Sequence, residues 1–143
     1  MTRESGYASF STTVEKTNRI LKEIEQAYGW PKERRHQSYA ALRSVLHAVR
    51  DRLNVNEAAQ LGAQLPMLVR GIYYDGWDPD RVPEKLGREG FLQRVRQEFP
   101  YDVKGGVEPL VQTVLRTLRS YVTEGEWEDV RSSVPGDVRA LFP

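Results

Sequence analysis

The chain holds 143 residues, 39% hydrophobic and 29% charged, with a formal net charge of +1 and no cysteine. A chain of this length buries roughly 70% of the surface its unfolded form exposes, enough for a single domain whose core needs no staples. The absent cysteines exclude disulfides, thiolate nucleophiles and zinc–thiolate sites, and the near-zero net charge argues against the broad basic field of a general nucleic-acid binder. No run of about 18 apolar residues is present, so no membrane insertion is expected. Met1–Gly6 lacks the apolar segment of a secretory signal, which makes the cytoplasm the expected address. Charge is uneven along the chain: residues 1–70 carry 11 Lys and Arg against 7 Asp and Glu, residues 71–143 carry 10 against 13. Exposed charges are screened beyond roughly 8 Å at physiological salt, so this asymmetry alone names no partner.

In chain order, residues 1–10 read as a lead-in. Ser11 or Thr12 is the expected N-cap of a first helix, with Glu15 at the capping-box distance from Thr12. Val14, Ile20, Leu21, Ile24 and Tyr28 form its apolar stripe, Gly29 ends it, and Trp30-Pro31 makes the corner. A second helix runs from about Lys32 or Gln37 to Leu53. Leu42, Val45, Leu46, Val49 and Leu53 are expected inside it, and Arg43, His47 and Arg50 outside. Asn54 caps a third helix, with Glu57 at the box position; Leu65-Pro66 breaks the chain, and a fourth helix carries Leu68, Val69, Ile72 and Tyr73. Asp75 to Asp80 is dense in turn formers and reads as a short linker. A fifth helix covers about Glu84 to Phe99. A sixth follows Gly105-Gly106 with Leu110, Val111, Val114, Leu115, Leu118 and Val122 inward. A seventh runs from Glu124 to Ser133, and a last one carries Val138, Leu141 and Phe142.

The stretch Leu53 to Tyr73 returns 69 positions later as Val122 to Phe142 without a gap. Identities across that offset are Val45/Val114, Leu46/Leu115, Arg50/Arg119, Glu57/Glu126, Pro66/Pro135, Val69/Val138 and Arg70/Arg139. The first and fifth helices do not keep the register. The expected architecture is all-α: about eight helices, in two tandem copies of a four-helix unit (about 11–77 and 81–143) packed into one compact bundle.

The run Ala-Leu-Arg-Ser-Val-Leu-His-Ala-Val-Arg-Asp-Arg-Leu (41–53), with the Ala-Gln-Leu-Pro-Met-Leu-Val-Arg-Gly-Ile-Tyr-Tyr-Asp-Gly-Trp element after it (63–77), resembles the bacterial family of domains of unknown function numbered 2267. The resemblance covers about Phe10 to Phe142. The second copy departs from it, with Ser132-Ser133-Val134-Pro135 and no Gly-Trp ending. It implies a small all-helical bacterial protein and brings no reaction, cofactor or catalytic residue to transfer.

Chemistry is sparse. Gly87-Arg88-Glu89-Gly90 lacks the strand and the lysine of a phosphate loop. His36 and His47 stand three turns apart on one helix, too far to share a metal, and read as exposed helix residues. Pro83 fills the place where a calcium loop starting at Asp78 requires glycine, so Asp75, Asp78 and Asp80 read as turn residues. No catalytic residue, metal ligand or cofactor is assigned. Lys32, Arg34, Arg35, Arg43 and Arg50, with Arg116 and Arg119 from the second copy, are candidate phosphate contacts weighed against a solvated helix face. Glu57 with Arg70, and Glu126 with Arg139, are candidate structural ion pairs across the two proline breaks. Tyr74 and Trp77 have no counterpart in the second copy, which makes them a candidate partner surface or a plug between copies. The expected function is a non-enzymatic interaction or scaffold module, with a protein partner or self-association. The alternatives are a regulatory domain touching nucleic acid through its basic face, and an enzyme whose groove site is formed only on folding.

Overall fold

The computed structural model describes residues 7–143; the lead-in over residues 1–6 and the reading of Met1–Gly6 lie outside them. Regular structure among the described residues is entirely helical, in the order α1 (Ala8–Tyr28), α2 (Arg35–Arg52), α3 (Val55–Gln64), α4 (Met67–Tyr74), α5 (Arg88–Glu98), α6 (Val107–Arg119), α7 (Glu124–Ser132) and α8 (Gly136–Arg139). Short 3-10 turns at Lys32–Arg34 and Pro79–Arg81 link α1 to α2 and α4 to α5. The chain is thus an all-α protein of eight helices among the described residues, as its periodicity predicts.

The helix α2 is the hub, packed against α1, α4, α5 and α6. Ala41, Leu42, Val45, Leu46, Ala48 and Val49 form one broad apolar stripe over nearly half of its circumference. Ser44, His47, Arg50 and Asp51 occupy the opposite side and are buried too, so the helix is enclosed nearly all round. This corrects the expectation that His47 and Arg50 face solvent, since each is only 2% exposed.

The 69-residue offset is kept in the starts of four helices. α3 and α7 begin at Val55 and Glu124, and α4 and α8 at Met67 and Gly136. The Asn54 side chain accepts the Glu57 N–H, and the Thr123 hydroxyl accepts the Glu126 N–H. Packing is exchanged between the halves in the same sense: α1 lies against α2, α4 and α6, while α5 lies against α6, α8 and α2. The first and fifth helices therefore hold corresponding places although their sequences do not correspond.

Two helix starts differ from expectation. α1 begins at Ala8, with extended Tyr7 before it, so neither Ser11 nor Thr12 caps it; Thr12 lies inside and donates to the Ala8 carbonyl at 2.9 Å. α5 begins at Arg88, four residues later than Glu84, because its end is capped from outside. The Arg88 N–H donates to the Asp137 carboxylate at 3.0 Å, tying α5 to α8. That N–H, together with the positive charge of Arg88, holds the Asp137 carboxyl below the ordinary range. Gly29 ends α1 in the left-handed region at φ 66°, as a terminal glycine does.

Candidate functional site

The recurring glutamate and arginine do not pair. Arg70 donates from Nε to the Gly62 carbonyl at 2.8 Å, and from Nη2 to Ala63 and Leu65 at 3.3 and 3.0 Å. Arg139 repeats this on Arg131, Ser132 and Val134 at 3.0, 3.3 and 3.0 Å. Each guanidinium thus satisfies the orphan carbonyls at the end of the helix before its proline, where a cation also suits the helix dipole. Glu57 instead crosses to the other half and accepts the Ser133 hydroxyl. Glu126 stays near it, and burial, then Asp129 and Glu57, raise its carboxyl above the usual carboxylate range.

The candidate phosphate contacts separate as well. Arg34 and Arg116 are exposed, and exposed Arg119 stands 3.6 Å from Glu124. Arg35 grips Glu25 through Nε and Nη2 at 3.0 and 3.1 Å. Arg43 reaches Asp75 at 2.7 Å and Glu98 at 3.2 Å. Buried Arg50 holds Asp51 at 2.8 Å and donates to the Tyr73 and Asp75 carbonyls. Three of the candidates are therefore engaged by the protein itself, and a continuous basic face does not form.

Arg43 and Arg50 belong to a charge network under α2. Asp51 also receives Arg94 at 3.0 Å, Arg94 donates to Glu98 at 2.7 Å, and Glu98 faces His47 Nδ1 at 2.9 Å. His47 Nε2 lies 2.8 Å from the Ile72 carbonyl. A carbonyl only accepts, and so does an ionised carboxylate, so both ring nitrogens of His47 face acceptors inside the fold. Burial opposes ionisation of Asp51, but Arg50 and Arg94 outweigh it and hold the carboxyl below its ordinary range. Glu98 is likewise disfavoured by burial and drawn below its ordinary range by Arg94 and His47. The network joins α2, α4 and α5 to the loop before α5; His36, by contrast, is exposed beside the Tyr101 ring.

Tyr74 is half-buried and lies over α3, so close that a Cβ on Gly62 would come within 2.5 Å of its hydroxyl. Trp77 packs on Tyr74 with ring centroids 5.3 Å apart, also half-buried, and its indole N–H is enclosed without an acceptor. Both rings therefore pack against the fold while keeping part of their surface exposed. The second half does without them because its aromatic bulk comes from α7. Trp127 stands at the position of Ala58, 5.5 Å from Phe142, where the first half has small residues at 58 and 62 and the ring on α4.

Among the described residues, two surfaces combine exposure with room for an occupant. Where α1 starts beside α4, Tyr7, Phe10, Met67 and Leu68 are 61, 51, 54 and 42% exposed. The Leu68 N–H donates to Thr13 at 2.8 Å, joining the two helices there. The second surface is a cleft of about 690 Å³ between α1 and the Trp30–Arg35 corner, lined by Asn18, Arg19, Lys22, Glu25, Lys32 and Arg35 among others. The sequence held a signal for the first: Phe10, Val14, Thr17, Leu21 and Ile24 keep a 4-3 spacing across the expected helix start. The cleft had no such signal, since its cations lie on two elements whose angle no local pattern fixes.

No helix among the described residues is long and apolar enough to cross a membrane, and they contain no cluster of three or more His, Asp or Glu placed to hold a metal ion. No curated protein matches the chain. A family model described as an uncharacterized conserved protein (DUF2267) matches residues 17–141, and the chain belongs to that family.

Proposed function

We propose that this protein is a non-enzymatic helical interaction module of the bacterial cytoplasm, engaging a protein partner at the joint end of α1 and α4. The observation that carries the reading is the set of exposed apolar side chains there: Tyr7, Phe10, Val14, Met67 and Leu68. The α1 stripe that is buried at Leu21 and Ile24 continues, among the described residues, as exposed surface at Phe10 and Val14, and exposed apolar surface of this kind marks protein contact. The His47–Glu98 pair, which on paper suits general-base work, has both ring nitrogens bonded inside the fold. Arg35, Arg43 and Arg50, the centre of a nucleic-acid reading, are engaged by Glu25, Asp75, Glu98 and Asp51.

A photo-activated cross-linking residue placed at Met67 in the full chain tests this in living cells. The expected result is a discrete protein adduct, a second copy of this chain included, that disappears with Phe10→Glu and is absent when the probe sits at Arg116. Adducts that ignore Phe10→Glu, or none at all, refute the reading.

A further inference from the structure

We infer that the cleft between α1 and the Trp30–Arg35 corner is a binding site for a small oligophosphate, a ligand bearing two or more linked phosphate groups. At its floor the Glu25 carboxylate, 4% exposed, is held by both Arg35 nitrogens and by the Ser38 hydroxyl at 2.6 Å. Burial disfavours its charge, yet Arg35 and Ser38 keep the carboxyl below its ordinary range, so it is ionised and fully engaged. Arg35 is pinned a third time by Nη1 to the Asn18 side chain at 3.3 Å, and its side chain stays 30% exposed. The planar fork of Arg35 thus lends the cleft a fixed positive charge, its Nε–Nη2 edge being already taken by Glu25.

Around that fork stand Arg19, Lys22 and Lys32, all exposed and without a carboxylate within ion-pair distance among the described residues. The lining thus carries four cations against the two carboxylates Glu15 and Glu25, an excess larger than the +1 of the whole chain. Positive charge collected in one recess of a nearly neutral protein focuses anions there. The competing explanation is that Lys22 and Lys32 merely complement the carbonyl end of α1. It accounts for cations near that end, but not for a cleft of about 690 Å³, within the range of small-molecule sites. Trp30, stacked 4.9 Å from Tyr28 and 6.4 Å from Phe99, fixes the angle of the corner that carries Lys32 and Arg35.

Calorimetric titration of the full chain with sodium tripolyphosphate at low ionic strength is the test. One saturable equivalent is expected, weakened about tenfold or more by Lys22→Gln with Lys32→Gln, as loss of charge-assisted hydrogen bonds predicts. Arg116→Gln with Arg119→Gln, on exposed cations elsewhere, should leave the affinity unchanged. Adenosine diphosphate and pyrophosphate run in parallel separate a nucleotide from an inorganic source, and saturable binding of either supports the site. No binding at millimolar probe, equal weakening in the Arg116 and Arg119 control, or equal affinity for a hexaglutamate peptide overturns the assignment. The substituted side chains are exposed, so the variants should keep the parent's melting curve, which circular dichroism verifies.

Discussion

Arg70 and Arg139 show why a residue recurs without recurring for the expected reason. Their shared spacing to Glu57 and Glu126 suggests an ion pair, but a guanidinium placed just after a proline break also reaches back to the helix that has ended. There it meets carbonyls that lack intrahelical donors, and three hydrogen bonds outcompete one exposed bridge worth about 0–1 kcal/mol. Arg70→Met should therefore cost about 1.5–3 kcal/mol, the range for hydrogen bonds to a charged group. Glu57→Gln should add to it without coupling, which a double-mutant cycle in urea would measure; coupling well above about 0.5 kcal/mol would restore the pair. A second residue-scale prediction rests on Gly62, where a Cβ would sit 2.5 Å from the Tyr74 hydroxyl oxygen and 2.8 Å from the ring carbon that bears it. Gly62→Ala should cost about 1–3 kcal/mol through overpacking, and the penalty should shrink when Tyr74→Leu is made beside it. A Gly62→Ala penalty unchanged by that second substitution would mean the strain lies elsewhere.

At the scale of elements, α2 decides how far the sequence could be read. Its apolar positions, the proline breaks, the Asn54 and Thr123 caps and the 69-residue offset all act locally, so eight helices were legible. What encloses a polar residue is not local: His47 and Arg50 look outward on a helical wheel until α4 and α5 cover that face. The open apolar end was half legible, because the Phe10–Val14 spacing showed while the arrival of Met67 and Leu68 beside it did not. The charge network that fills the covered face makes a pH prediction. Asp51 and Glu98 are held below their ordinary carboxyl values, so their contribution is complete above the unfolded values of about 3.9 and 4.3. It is lost as pH falls through the lower values of the folded state. Urea midpoints measured from pH 7 downward should fall along that window, and Asp51→Asn with Glu98→Gln should flatten the descent. At neutral pH each change should cost about 3 kcal/mol, the low end for breaking a buried pair, since these carboxylates are 12 and 22% exposed. An acid limb identical to the parent's would show that other carboxylates drive acid unfolding.

For the whole molecule, the contacts that matter most to folding are those made between the halves. α1 begins the first half yet lies against α6 of the second, and α5 begins the second half yet lies against α2 of the first. Cutting the chain at residue 80 would strip α6 of partners for Leu110, Val111, Val114, Leu115 and Leu118, all buried in the intact protein. It would also strip the network of Glu98 and Arg94, leaving Asp51 with Arg50 alone and His47 without its carboxylate partner. A fragment of about 63 residues already buries a smaller share of its surface than a longer chain, and each half would lose the neighbour that covers its widest apolar face. Residues 81–143 expressed alone should therefore show weak helicity and no cooperative melt by circular dichroism. Mixing them with residues 1–80 should restore both the helical signal and one shared transition, because the exchanged contacts need proximity and not a covalent link. A fragment that melts cooperatively at the temperature of the full chain would show that α5 to α8 close a core of their own, and that the exchanged packing adds adhesion to an already folded unit.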